Sequence, residues 1–187
     1  MSRAQANGIE IEYETFGNPA DPPLLLVMGL TAQLTVWDTA FCQKLAERGR
    51  YVIRYDNRDV GLSSWFDGQD VDMAALFMAR LGGGEMPAVP YTLSDMAADG
   101  IGLLDALGIA KAHVVGASMG GMIVQTMALE HPHRLLTMTS IMSMTGEPGY
   151  GEASPEAMEA LLTPPPSERD AVIDRAAEVS KFFSSPR

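Results

Sequence analysis

The stretch that decides the fold is AHVVGASMGG, residues 112–121. It opens with a short apolar run, which is typical of a strand buried on both faces, and it leads into a helical pattern. Between the two stands Gly-x-Ser-x-Gly, with Gly116 and Gly120 on either side of Ser118. Glycines at these positions remove side chains that would clash in a tight turn and leave the serine hydroxyl at the end of the strand. The pattern predicts that Ser118 is a nucleophile, the alternative being a plain junction between strand and helix.

Outward from this turn, strand and helix patterns alternate along the chain. A hairpin turn at Asn7-Gly8 precedes residues 9–14, whose strict alternation predicts a strand with one polar face. Further strands are predicted at 24–28, 51–55, 112–116 and 135–141, and helices at 33–48, from Thr92 or Ser94 to Gly108, and at 119–130. This order predicts an α/β fold with a mainly parallel sheet behind an N-terminal antiparallel hairpin.

The composition changes near Thr145, which suggests a boundary. We expect residues 1–144 to form the sheet-bearing core and residues 145–187 to form the beginning of a helical cap. In the second part Ser167 is a candidate cap for a helix, whose apolar face needs a surface to cover it. That face consists of Val172, Ile173, Ala176, Val179 and Phe183. Within the core, residues 56–90 are poor in regular patterns and predict a loop or the entry to a lid.

Composition excludes several classes of function. The 187 residues include 24 acidic and 13 basic side chains, a net charge of −11, so a nucleic-acid partner is not expected. The longest apolar run, Leu24 to Leu30, is too short to span a membrane. A single cysteine, Cys42, cannot form an internal disulfide, and no signal-like leader opens the chain, so the cytoplasm is the expected location.

Acyl transfer by a serine also requires N–H donors aimed at the oxyanion of the tetrahedral intermediate. The backbone N–H of Met119, directly after Ser118, is one candidate. The other is the N–H of Leu30, in the turn that follows the strand 24–28. The alternative for that turn is that Gly29 only ends the strand.

Three motifs in order carry a family resemblance: MGL at 28–30, VIRYDNRDVGLS at 52–63 and HVVGASMGG at 113–121. Together they resemble the α/β-hydrolase superfamily, and most closely its aclacinomycin methylesterase-like and lipase-like carboxylic ester hydrolases. Many relatives have His-Gly where this chain has Met-Gly. The resemblance implies a small-molecule ester substrate and a structural turn beside the active site. We interpret Asp56, Arg58 and Asp59 of that turn as an ion network that stabilises it, rather than as catalytic groups.

The sequence places no histidine close enough to Ser118 to act as its catalytic base. A base must lie about 3 Å from the serine oxygen, but His113 lies five residues up the same strand, roughly 16 Å away. His131 and His133 lie at the far end of the next helix, roughly 18 Å away. The resemblance implies a chain order of serine, acid and histidine. We therefore expect the acid, the base and further strands to lie beyond Arg187, and this chain alone to be inactive.

Three functions stay open at this point. The first is a serine hydrolase of carboxylic esters that acts through an acyl-enzyme. The second is a non-catalytic fragment or subunit that needs a complementary chain, or associates with itself, at the open sheet edge after residues 135–141. The third is a cofactor-free haloperoxidase-like activity on the same fold.

No metal or organic cofactor is expected for any of the three. Gly82-Gly83-Gly84 is not followed by Lys-Ser or Lys-Thr, so it is not a phosphate-binding loop. The sequence also has no cysteine and histidine cluster at metal-ligand spacing.

Overall fold

The computed structural model describes residues 1–69, 87–147, 150–151, 154–163 and 166–183. The chain divides into two compact units, Met1–Thr145 and Gly146–Arg187. The triplet Gly82-Gly83-Gly84 and a large part of the loop expected at 56–90 lie outside the described residues. The assignment of residues 1–144 to a core and 145–187 to a cap stays a prediction.

The first unit is built on one six-stranded sheet. The strands are β1 (Ser2–Ala6), β2 (Ile9–Phe16), β3 (Pro23–Val27), β4 (Tyr51–Tyr55), β5 (Ala112–Ala117) and β6 (Leu135–Ile141). The helices are α1 (Thr39–Glu47), α2 (Leu93–Ala106) and α3 (Met119–Glu130). The spatial order is β1-β2-β4-β3-β5-β6, antiparallel over the first three strands and parallel from β4 to β6. The predicted fold class is confirmed.

The two central strands are buried on both faces, which explains why residues 24–28 show no alternation. Leu25 and Val27 pack into a core with side chains of α2 and α3, whereas Leu24 and Leu26 pack with Trp37 and the free thiol Cys42. Because β3, β5 and β6 are parallel, their carboxyl ends meet at one edge of the sheet. The N-terminus of α3, which carries the positive end of the helix dipole, lies at that edge.

The helix predicted at 33–48 is wrong in extent. A 3-10 turn at Leu34–Val36 is followed by a separate helix α1, which begins only at Thr39. Asp38 breaks the pattern, because its carboxylate accepts hydrogen bonds from the N–H groups of Ala40 and Phe41 and so caps α1. The other helix starts are close to prediction: Thr92 caps α2 in a capping box with Asp95.

The polar face predicted for the hairpin is present, with Glu10, Glu12 and Glu14 in ion pairs, but one of these glutamates is buried. Glu12 in β2 is buried and pairs with Arg3 at 3.0 Å. Its backbone N–H donates to Ser63 Oγ, and its carbonyl accepts from the N–H of Asp56. The alternating pattern marked a strand correctly, but it does not show that Glu12 is buried and paired with Arg3 of β1.

The described residues of the second unit form two helices, α4 (Pro155–Leu162) and α5 (Arg169–Phe183). Ser154 caps α4, an element that the sequence patterns did not predict. The last helix begins two residues after Ser167, and its Val172 and Ile173 are exposed. Arg175 donates from Nη2 to the carbonyl of Ala160 and so joins α5 to α4. Among the described residues, no helix is long and apolar enough to cross a membrane.

A buried ion pair ties the loop after β4 to helix α2. Arg58 donates from Nε and Nη2 to the two carboxylate oxygens of Asp99, at 2.7 Å each. Both side chains are almost fully buried, and Asn7 donates a further bond of 2.9 Å to Asp99. The guanidinium also lies over the rings of Phe66 and Tyr91. This pair fixes the loop that borders the carboxyl edge of the sheet.

We expect Asp99→Asn to lower the free energy of unfolding by about 3–5 kcal/mol, because it leaves the buried Arg58 charge without its counterion. Asp105→Asn on the same helix is the matched control. Asp105 pairs with Arg134 but its side chain is 63% exposed, so its loss should cost less than about 1 kcal/mol. Urea denaturation measures both, and equal losses would contradict the assignment.

Candidate active site

Ser118 lies directly after β5 and precedes the first residue of α3. Its backbone has φ 56° and ψ −124°, a conformation that residues other than glycine rarely adopt. The residue is exposed to solvent, and among the described residues its hydroxyl has no hydrogen-bond partner. The strand–turn–helix context that a nucleophile elbow requires is therefore present.

The two flanking glycines are required by close backbone approach. A side chain at Gly116 would overlap the carbonyl oxygen of Gly120, and one at Gly120 would overlap the carbonyl oxygen of Val27. In each case the obstacle is backbone, which cannot rotate away as a side chain does. The glycines let α3 begin close against the end of β3, and so bring the two loops of the site together.

The turn after β3 lies against the serine. A Cβ atom built on Gly29 would stand 2.9 Å from Ser118 Cβ and 3.3 Å from Ser118 Oγ. The N–H of Ala32 donates to the carbonyl of Gly29 at 3.3 Å and closes a tight turn. Gly29 therefore has a function beyond ending the strand, since only a residue without a side chain leaves this space beside Ser118.

Two backbone donors face no protein acceptor at this edge. Among the described residues, the N–H groups of Leu30 and Met119 donate no hydrogen bond. The Leu30 N–H belongs to the peptide that joins it to Gly29, beside the serine, and the Met119 N–H is the first of α3. Unpaired N–H groups of this kind attract developing negative charge, and the helix dipole adds to the effect.

Backbone strain concentrates at the same edge. Among the described residues, five other than glycine have positive φ, and four of them lie within four residues of the carboxyl end of a parallel strand. These four are Thr31, Asp59, Ser118 and Met142. Hydrogen bonds hold the strained segments: Ser118 N–H donates to the carbonyl of Ile141, and Asn57 donates to the carbonyl of Met28. Such strain is typical of functional sites.

The three histidines of the chain lie away from Ser118. His113 stands near the start of β5, where its ring contacts Thr137 Oγ1 at 2.8 Å and Arg50 at 3.4 Å. His131 caps the end of α3, and His133 follows it in a 3-10 turn. The predicted separation between the serine and these histidines therefore agrees with their positions at opposite ends of β5 and α3.

The acidic loop after β4 is structural, but its network differs from the predicted one. Asp56 accepts hydrogen bonds from the N–H groups of Leu34 and Leu62, and Arg58 pairs with Asp99 rather than with either aspartate of its own loop. Asp59 accepts from the N–H of Phe66 at 2.6 Å. Sequence reasoning missed Asp99, although a carboxylate on the apolar face of α2 was a detectable signal that a buried cation lies opposite.

A cavity of about 170 Å³ opens between Leu30 and Met119. Its walls are mainly apolar and include Thr31, Val60 and Met96.

Polar groups line the remaining side of this cavity, which Arg58, Asp59 and Tyr91 form. Burial, together with a hydrogen bond to Asp59, raises the pKa of the Tyr91 hydroxyl to about 12. Tyr91 is therefore neutral at physiological pH. Among the described residues, no cluster of three or more histidine, cysteine or acidic side chains is arranged to hold a metal ion.

The strain at Ser118 gives a stability test. We expect the free energy of unfolding of Ser118→Gly to be about 1 kcal/mol higher than that of Ser118→Ala, because glycine adopts positive φ without penalty. At Ser94, within helix α2, the order should reverse, since glycine is about 1 kcal/mol worse than alanine there. Urea denaturation of the four variants measures both differences, and the same order at both positions would contradict strain at Ser118.

Comparison with known proteins identifies the family of the chain. A model described as alpha/beta hydrolase fold matches residues 22–185. Rhodomycin D methylesterase DauP of Streptomyces sp. (strain C5) is 40% identical over 126 residues, which cover 67% of this chain and 36% of that protein. A putative carbamate hydrolase RutD of Caulobacter segnis is 36% identical over 135 residues, which cover 72% of this chain and 43% of that protein.

Among solved structures, the meta-cleavage product hydrolase CumD of Pseudomonas fluorescens IP01 has a similar fold. The TM-score is 0.74 at 20% identity, over 98% of this chain and 57% of that one. The match thus spans between about a third and three fifths of the length of these relatives. From the strand order, the glycine-flanked serine turn and the family match over residues 22–185, the chain belongs to the alpha/beta hydrolase fold family.

Proposed function

We propose that the protein is a serine hydrolase of carboxylic esters in which Ser118 is the nucleophile. The observation that carries the proposal is the position of the exposed Ser118 hydroxyl, on a strained turn beside the unpaired N–H groups of Leu30 and Met119. A nucleophile, an oxyanion site and an adjoining cavity are the three parts that ester cleavage needs.

The chemistry follows from these parts. The Ser118 oxygen attacks the ester carbonyl carbon while a base removes the hydroxyl proton, and the N–H groups of Leu30 and Met119 stabilise the oxyanion. The intermediate collapses with loss of the alcohol, which takes the proton from the protonated base. Water then attacks the acyl-enzyme by the same route and releases the carboxylic acid. Each donor that meets the oxyanion contributes about 3–4 kcal/mol in comparable enzymes.

We infer that the base and the acid that orients it lie outside residues 1–187. All three histidines are occupied or distant, and the match covers only 36% of the methylesterase relative. In this proposal residues 145–187 form the beginning of a helical cap, and the chain alone is nearly inactive. Slow residual turnover from the oxyanion donors is expected, because such sites retain part of their rate enhancement without the full triad.

The substrate class is a small-molecule ester. The relatives named as a methylesterase and as a putative carbamate hydrolase both act at a carbonyl that bears a leaving oxygen or nitrogen. The N–H groups of Leu30 and Met119 stabilise the oxyanion that forms when either kind of carbonyl is attacked. The mainly apolar cavity beside these residues suits an ester better than a charged substrate.

A fluorophosphonate probe tests the nucleophile. In the complete natural protein we expect covalent labelling of Ser118, which peptide mass spectrometry localises, and its complete loss in Ser118→Ala. Ser94→Ala, which removes another exposed serine hydroxyl, should label like the parent protein. Labelling that persists in Ser118→Ala would contradict the assignment.

The exposed edge strand favours a second candidate, a non-catalytic subunit that binds a complementary chain. Among the described residues β6 pairs only with β5, and its Leu136 and Met138 are exposed. Such an edge offers unpaired N–H and carbonyl groups to another strand.

For this candidate we expect a second polypeptide to co-purify with the protein and to be lost in Met138→Lys, because a charge on an edge strand opposes pairing. Leu129→Lys on α3 is the control, since it also removes an exposed apolar side chain. A monomer in both variants and in the parent protein, measured by sedimentation, would rule out this candidate.

A further inference from the structure

The cavity beside the serine is small enough to select one group of an ester. Leu30 and Met119 line it, and their N–H groups are the proposed oxyanion donors. A carbonyl oxygen held there places one of the two groups attached to the carbonyl carbon at the mouth of the cavity. Its volume of about 170 Å³ is below the roughly 300 Å³ at which pockets for drug-sized ligands begin, so it suits a compact group.

The charges around this cavity do not cancel. Among the described residues of its lining, Arg58 is the one cation, and both carboxylate oxygens of Asp99 occupy it at 2.7 Å. The donors to Asp59 that the described part of the chain supplies are neutral, namely the Phe66 N–H and the Tyr91 hydroxyl. Within the described part of the chain, no cationic side chain lies within 4 Å of the Asp59 carboxylate. One negative charge therefore remains uncompensated at the cavity wall.

We propose that this cavity binds a compact uncharged group of the ester and that Asp59 excludes an anionic group of the same shape. The inference rests on the proposed function and adds to it a selection between neutral and carboxylate-bearing esters. The apolar walls of Val60 and Met96 favour an aliphatic group, and the carboxylate opposes a second negative charge. Asp59 is thus a specificity-determining residue rather than a catalytic one.

Two pairs of isosteric esters test the proposal in the complete natural protein. The acyl-side pair is p-nitrophenyl 4-methylpentanoate and mono-p-nitrophenyl succinate. The alcohol-side pair is 3-methylbutyl acetate and the acetate ester of 3-hydroxypropanoate. In each pair a carboxylate replaces an isopropyl group. We expect kcat/KM to favour the neutral ester by tenfold or more in one of the two pairs, and a tenfold preference corresponds to about 1.4 kcal/mol. The pair that shows the preference identifies whether the acyl or the alcohol group enters the cavity.

Asp59→Asn should reduce this preference about tenfold, chiefly through KM of the anionic ester, because the amide keeps the oxygen that accepts from Phe66 N–H and removes the charge. Asp67→Asn is the matched control: it removes the same charge from an exposed residue of the same loop and should leave the preference unchanged. As a measurement that needs no variant, raising the salt concentration should weaken the preference in the parent protein.

The outcomes separate this inference from the proposed function. Absence of fluorophosphonate labelling at Ser118 would contradict the proposed function itself. Labelled protein that shows no preference in either pair, or a preference that Asp59→Asn and salt leave unchanged, would overturn the role of Asp59 and leave the nucleophile intact.

Discussion

Close backbone contact around three glycines is the constraint on which the rest of the site depends. Gly120 brings the start of α3 against the carbonyl oxygen of Val27, and Gly116 makes room for Gly120 in turn. Gly29 lets the turn after β3 pass Ser118 within contact distance. At Gly116 and Gly120 the opposing atoms are backbone, so no rotamer change relieves a side chain there, and at Gly29 a side chain would crowd Ser118. The serine, the helix N-terminus and the turn after β3 therefore occupy one small region, and the unpaired N–H groups follow from that geometry.

Polar contacts help to hold the loops around this region. Asp56 uses both carboxylate oxygens on backbone N–H groups, so it holds the loop after β4 to the 3-10 turn. The buried pair of Arg58 and Asp99 attaches the same loop to α2. Buried charges cost free energy unless they are fully paired, so these contacts tolerate few alternative arrangements. The strained backbone of Asp59 lies within the loop that these contacts hold.

The sequence predicts the parts of the structure that depend on neighbouring residues. Apolar runs gave the central strands, Thr92 gave the start of α2, and the glycine spacing around Ser118 gave the turn and its helix. Predictions failed where a distant residue decides. Glu12 lies in a regular alternating strand but is buried, and its carboxylate pairs with Arg3 on the neighbouring strand. The counterion of Arg58 lies 41 residues away, on another element, where no local pattern records it.

The same distinction separates the candidate nucleophile from the candidate specificity residue. Ser118 is identifiable from a window of five residues, because the steric demands of its turn are local. Asp59 acquires its significance only when Asp99 neutralises Arg58, which leaves Asp59 as the uncompensated charge at the cavity. If Asp99 were neutral, Arg58 would be free to balance Asp59, and the cavity would discriminate weakly between charged and neutral groups. The selectivity of the site thus depends on the charges of Arg58, Asp59 and Asp99. Asp99 lies on α2, outside the cavity lining, and its pairing with Arg58 leaves the net charge at the cavity negative.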